Sequence, residues 1–81
     1  MKNKVVMNCI SLSLKEQESK DGRKYYQISI DQDGEAGSLP MSEDAFLSCK
    51  NTFKKYSPCT LQCEFNDQYK TMRVIGIKQG V

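Results

Sequence analysis

Residues 24–41, KYYQISIDQDGEAGSLPM, decide the fold. Over 24–31, Tyr26, Ile28 and Ile30 share one face, and Tyr25, Gln27 and Ser29 share the other. A period of two with one apolar face is a strand over a core. The turn DQDGEAG follows and contains Asp33-Gly34, which supplies the left-handed backbone of a tight hairpin. Ser38-Leu39-Pro40-Met41 then reads as a short third strand. It belongs near a sheet edge, because Pro40 cannot donate to a ladder.

Working outward, residues 4–14, KVVMNCISLSL, alternate as well. Val6, Ile10, Leu12 and Leu14 fall on one face, and Met7, Cys9, Ser11 and Ser13 on the other, giving a long half-buried strand. The polar segment 15–24, KEQESKDGRK, carries Asp21-Gly22 and is long for a minimal turn, so a protruding hairpin is expected. On the other side, Ser42 is a good helix N-cap, and Glu43 and Asp44 complement the positive end of the dipole. Ala45, Phe46, Cys49 and Phe53 repeat at helical spacing, and Lys50, Lys54 and Lys55 suit a C-terminal half. The reading is a helix over 42–55, stopped by Tyr56-Ser57-Pro58. Residues 58–65, PCTLQCEF, put Cys59, Leu61, Cys63 and Phe65 on one face of a fourth strand. Asn66-Asp67 makes the turn. Residues 68–78 form the last strand, with Met72 and Val74 on one face and Tyr69, Arg73 and Ile75 on the other. Three strands, a helix and two strands in 81 residues predict a mainly β fold. The specific expectation is a single domain, 1–81, built as a small five-stranded OB-type barrel with one α-helix between strands 3 and 4.

Composition narrows the function classes. Charged residues are 27% and hydrophobic residues 38% of the chain, as in ordinary folded proteins. No apolar run approaches a membrane span, and MKNKVV is not followed by the apolar stretch of a signal peptide. The expectation is a cytoplasmic protein of a bacterial host, with no membrane partner. There is no histidine to activate a nucleophile, and no glycine-rich loop opens the helix. An enzyme, a cofactor and a small-molecule substrate are therefore not expected. Cys59 and Cys63 lie four apart on a strand, roughly 13 Å, too far to share one zinc ion. The cysteines read as small buried apolar residues, and no metal site is expected. A disulfide between strand and helix stays open at this level.

The net charge of +2 is small, but the cations are gathered. Lys15, Lys20, Arg23 and Lys24 surround the first turn, and Lys70, Arg73 and Lys78 lie on the last strand. Tyr25 follows Arg23 and Lys24, and Tyr69 precedes Lys70 and Arg73. Cations that track phosphates beside rings that stack on unpaired bases are the means of holding a single strand. The same tyrosines also serve as ordinary strand residues.

Ser19-Lys20-Asp21-Gly22-Arg23-Lys24-Tyr25 resembles the first hairpin of the gene V-type single-stranded DNA-binding proteins of filamentous phages. Tyr56-Ser57-Pro58 is similar to that family's entry into its fourth strand, and Gln68-Tyr69-Lys70-Thr71-Met72 to its glutamine–aromatic run. The resemblance implies an OB-related barrel that dimerises and coats single-stranded DNA with little sequence preference. It implies Lys20 and Arg23 as phosphate contacts, Tyr25 at the DNA face and Tyr69 as a stacking ring. Lys78 aligns with a basic residue of the family's last strand, whereas Gly76 stands where the family has a basic, DNA-contacting residue. Lys24, Lys70 and Arg73 complete the expected nucleic-acid site. The rival readings are an RNA-binding OB module, and a protein-binding adaptor using a sheet edge and the acidic 31–44 segment.

Overall fold

The computed structural model describes residues 2–79, and the side chains of 3–79. Its elements are β1 (Lys2–Glu18), β2 (Lys24–Gln32), β3 (Glu35–Met41), α1 (Glu43–Cys49), β4 (Pro58–Asn66) and β5 (Thr71–Gln79). The strands pair in a ring, β1-β2-β3-β5-β4. The mainly β class and the helix between the third and fourth strands are as expected.

β1 makes the ring. A straight 17-residue strand would run roughly 56 Å at about 3.3 Å per residue, yet the longest extent of the molecule is 36 Å. The strand therefore bends, and it serves two neighbours in turn. Its first half pairs with β4, from Lys2↔Asn66 to Ile10↔Pro58. Its second half pairs with β2, from Ile10↔Asp31 to Glu18↔Lys24. The register shifts between Ser11 and Ser13, a bulge that supplies bend and twist.

That bulge corrects the reading of the β1 faces. Cys9 and Ser11 are buried and Met7 packs on the core, while Val6 and Ile10 are exposed. The extra residue then reverses the alternation, so Leu14 also packs inward. A strict period of two across the bulge joined the outer face of one half to the inner face of the other. A second register shift, between Gln62 and Cys63 opposite β5, explains why β5 is apolar on both sides. Val74 is fully buried before it, and Ile77 packs on the core after it.

Element boundaries also move: β1 runs Lys2–Glu18 rather than 4–14, and β5 begins at Thr71 rather than 68, which leaves Gln68, Tyr69 and Lys70 in the turn. The β2–β3 turn is only Asp33-Gly34, both with positive φ, so β3 begins at Glu35 rather than 38. The helix ends at Cys49, not 55. Ser42 caps it as expected, its hydroxyl accepting from the Ala45 N–H at 3.2 Å. Beyond Cys49, Thr52 turns back on the Cys49 carbonyl, its N–H at 3.0 Å, and Tyr56 takes a positive φ of 58°. Lys54 and Lys55 therefore lie past the helix, and Lys50 is its C-cap.

Ser11 pins the 50–58 segment to the ring. Its buried hydroxyl donates to the Lys54 carbonyl at 2.6 Å and accepts from Gln79 Nε2 at 3.1 Å. The Gln79 amide in turn brackets Lys54, accepting from its N–H at 2.7 Å and donating to its carbonyl at 2.8 Å. This polar knot replaces the missing helical turns.

Tyr26, Ile28 and Ile30 bury as read, as do Cys59, Leu61 and Cys63. Tyr26 stacks tilted on Phe46, with centroids 4.5 Å apart, tying α1 to β2. All four cysteines are free and buried. Cys9 and Cys59 oppose each other across β1 and β4, with sulfurs 3.4 Å apart. Burial pushes the Cys49 and Cys63 thiols up, and burial reinforced by the Cys9 contact pushes Cys59 up to about 12. Among the described residues, no group of three or more His, Cys, Asp or Glu side chains is placed to hold a metal ion. No helix among them is long and apolar enough to cross a membrane.

Candidate nucleic-acid interface

The turn at 19–23 centres the first hairpin. Gly22 takes a φ of 86°, and the Ser19 N–H donates to the Arg23 carbonyl at 2.8 Å. Asp21 organises the loop. Its carboxylate accepts from the Ser19 hydroxyl and from the Arg23 N–H, and those bonds hold its pKa below the usual carboxylate value, the Ser19 bond most. The Arg23 side chain leans back on Asp21, Nε to Oδ2 at 3.4 Å, with both groups well exposed. Lys20 and Lys24 are exposed on either side.

The register then aligns an outer face. Tyr25 lies opposite Gln17, and Gln27 lies between Lys15 and Pro40. Tyr25 is 51% exposed, a ring standing at the surface of β2. An open groove of about 620 Å³ runs past it, lined by Lys24, Tyr25, Gln27, Met41, Glu43 and Arg73. Lys24, Tyr25 and Arg73 come from opposite ends of the chain, and the ring brings them to one groove. At its floor, the Tyr26 hydroxyl is held protonated above its usual value by burial, and further by the charges of Glu43 and Glu16.

Arg73 sits between this groove and a smaller one of about 260 Å³ with Glu64, Asn66 and Thr71. It pairs across the strands with Glu64, Nη2 to Oε1 at 3.6 Å. The second groove leads to the 67–70 turn. There Asn66 Oδ1 accepts from the N–H groups of Gln68 at 3.0 Å and Tyr69 at 3.4 Å, and Lys70 has a positive φ of 53°. Tyr69 is thus a turn residue, not the strand residue expected, and is 66% exposed. Lys78 is placed elsewhere, opposite Thr60 toward the far end of β5.

Sequence reasoning left out Lys15 and Gln27, which flank Tyr25 on the same outer face. The signal was present: pairs about Asp21 put Gln17 opposite Tyr25, hence Lys15 opposite Gln27. It also gave no weight to Glu43, whose carboxylate limits the positive potential at one wall of the groove. No family model and no curated protein matches this chain.

Proposed function

We propose that this protein is an OB-type, sequence-tolerant single-stranded DNA-binding protein of the phage or mobile-element kind. The observation that carries the reading is the groove that gathers Lys24, exposed Tyr25 and Arg73 between the 19–23 and 67–70 turns. Five strands in the order β1-β2-β3-β5-β4, with ligand-facing turns between strands 1 and 2 and between 4 and 5, suit that class. Lys20, Arg23, Lys24, Lys70 and Arg73 supply phosphate contacts, while Tyr25 and Tyr69 stack on bases. Lys78 extends the backbone track along β5.

Fluorescence anisotropy with labelled DNA homopolymers, the matching RNAs and duplex DNA, over a series of salt concentrations, tests the reading. Affinity for the DNA single strand should fall with salt by a log–log slope of about −0.7 per phosphate contacted. Absence of binding to every homopolymer at about 50 mM salt would sink the proposal, since the electrostatic contribution is near its strongest there. Tighter binding to RNA than to DNA would transfer the groove to the RNA reading, where the 2′-hydroxyl is recognised.

A further inference from the structure

Pairing with β2 puts Gly37 on the inner face of β3. It lies opposite Ile30, a core residue, and Leu39 on the same face lies opposite the fully buried Ile28. Cross-strand partners share a face, so a side chain at 37 would point inward. Glycine keeps that place clear, and a Cβ added there meets nothing within 4 Å. The clearing belongs to a groove of about 240 Å³ walled by Met7, Ile30 and Leu39. That volume is below the roughly 300–1,000 Å³ of small-molecule pockets and suits a single apolar side chain.

The backbone beside the groove has a free side. Gln32 and Glu35 flank a two-residue turn and so form a hydrogen-bonded pair. Alternation from there aims the N–H and C=O groups of Gly37 and Leu39 at β2, and those of Ala36 and Ser38 away from it. β5 reaches β3 at Met41↔Val74 alone, and Ala36, Gly37 and Ser38 are all exposed. The surroundings are acidic. Glu35 lines the mouth of the groove two residues from Gly37, Asp33 is in the turn, and Asp31 lies opposite Ala36. Among the described residues, none of these three carboxylates is in an ion pair.

We propose that the β3 edge binds an extended segment of another protein, with one apolar side chain in this groove and a lysine or arginine two residues away. The added strand takes its backbone bonds from Ala36 and Ser38, and the groove selects the side chain, as in other sheet-edge recognition. Its residue opposite Gly37 forms a non-hydrogen-bonded pair, the closer kind, with its side chain on the inner face. That side chain passes over the glycine to reach Met7, Ile30 and Leu39. The next residue on the same face, two positions along, comes opposite Glu35. A cation there meets a carboxylate, and an acid there meets like charge. A second copy of this edge is the wrong chemistry. It would set glycine against Gly37 and leave the groove unfilled, and residues 25–49 hold no lysine or arginine for Glu35. The groove of Tyr25 and Arg73 has no part in the binding, and the inference stands whether or not that groove takes DNA.

Amide NMR of the isotope-labelled full chain, titrated to about 1 mM with capped heptapeptides, tests it. The probe peptide is threonine throughout, except for isoleucine at its centre and lysine two residues to either side. The Ala36 and Ser38 amides should shift and saturate, with binding at least about tenfold tighter than for a peptide with threonine at the centre. Gly37→Phe should remove that preference by filling the groove with its own ring, and the clear space at 37 lets the variant fold. Glu35→Lys should transfer the preference to a peptide with glutamate in place of both lysines. Absence of saturable shifts at Ala36 and Ser38 overturns the inference, as does equal binding of the isoleucine and threonine peptides. Shifts of the same amides with protein concentration alone would give the edge to a second copy and overturn it as well.

Discussion

The ring has two kinds of seam. Between β1 and β4 the ladder is unbroken from Lys2↔Asn66 to Ile10↔Pro58, and Cys9, Cys59 and Cys63 seal its inner side. Between β3 and β5 a single bridge, Met41↔Val74, closes the circle. The groove past Tyr25 is lined by Met41 and Arg73 at that bridge, and a second groove follows β3 beside it. The longer ladder lies in the continuous seam, and these two grooves lie beside the open one. A thin core forces such a division, because an 81-residue chain has little apolar area to spend on both.

The comparison breaks most visibly at Leu61, fully buried on β4. Leu61→Ala should cost about 2–5 kcal/mol, the range for a buried leucine truncated in a core that cannot collapse. Chemical denaturation measures it, and a loss below about 1 kcal/mol would mean that the β1–β4 seam is not where the fold is held. Alkali attacks the same seam. The folded-state pKa of Cys59 is raised from 9.0 to about 12. Its stabilisation is therefore complete below the unfolded value and is lost as pH climbs from about 9 toward 12. A melting temperature flat over that window in wild type, compared with Cys59→Ala, would refute the assignment.

Ser11 is the next test, a buried hydroxyl on the core face of β1. Ser11→Ala removes a donor to the Lys54 carbonyl and an acceptor for Gln79 Nε2. A loss of about 0.5–1.5 kcal/mol is expected, the net worth of a lost hydrogen bond, because the Lys54 carbonyl and Gln79 Nε2 keep each other as partners at 2.8 Å. Hydrogen exchange should show the 50–58 segment opening first, since that hydroxyl and the Gln79 amide are what hold Lys54. Uniform loss of protection over the whole ring would contradict a local pin.

Ser11 also shows where sequence stopped being legible. The order of elements, the β2 and β4 faces and both glycine turns were readable, because each depends on neighbours within a few residues. The inward turn of Ser11 was not. It depends on a bulge at Leu12, and nothing local distinguishes a bulged alternation from a straight one. The helix failed at its C-terminal end for a related reason. Lys50, Phe53 and Lys54 carry helical spacing, but Ser11 and Gln79, from the two ends of the chain, hold Lys54 in another conformation. At the site, Tyr25 was legible from alternation. The meeting of Arg73 with Tyr25 was not, because it follows from ring closure at Met41↔Val74.

The open seam should respond in binding rather than in stability. Tyr25→Ala should weaken single-stranded DNA binding by about 1–3 kcal/mol with an almost unchanged salt slope, since a ring contacts a base and not a phosphate. Its melting temperature should hold, because the side chain is half exposed. Tyr69→Ala should behave alike, now that Tyr69 is a turn residue and not a member of the strand. A variant that keeps both melting temperature and full affinity removes its tyrosine from the site.

The smallest effect belongs to Asp21, which sets how much of Arg23 the groove can use. The carboxylate holds the Arg23 guanidinium at 3.4 Å and also orders the turn through the Ser19 hydroxyl and the Arg23 N–H. Its pKa is lowered from 3.8, so its support of the turn is complete above that value and lost as pH falls below it. Asp21→Asn keeps a side-chain acceptor for the turn and deletes the charge. Arg23 is then released toward phosphate, and affinity at low salt should rise by about two- to fivefold, the scale of one exposed charge. The salt slope should steepen by up to about 0.7, one further phosphate contact, and the gain should fade at high salt. Arg23→Ala in the same background should abolish the gain. If Asp21→Asn strengthens binding equally with and without Arg23, the carboxylate acts only by repelling the strand, and Arg23 is not the contact it restrains.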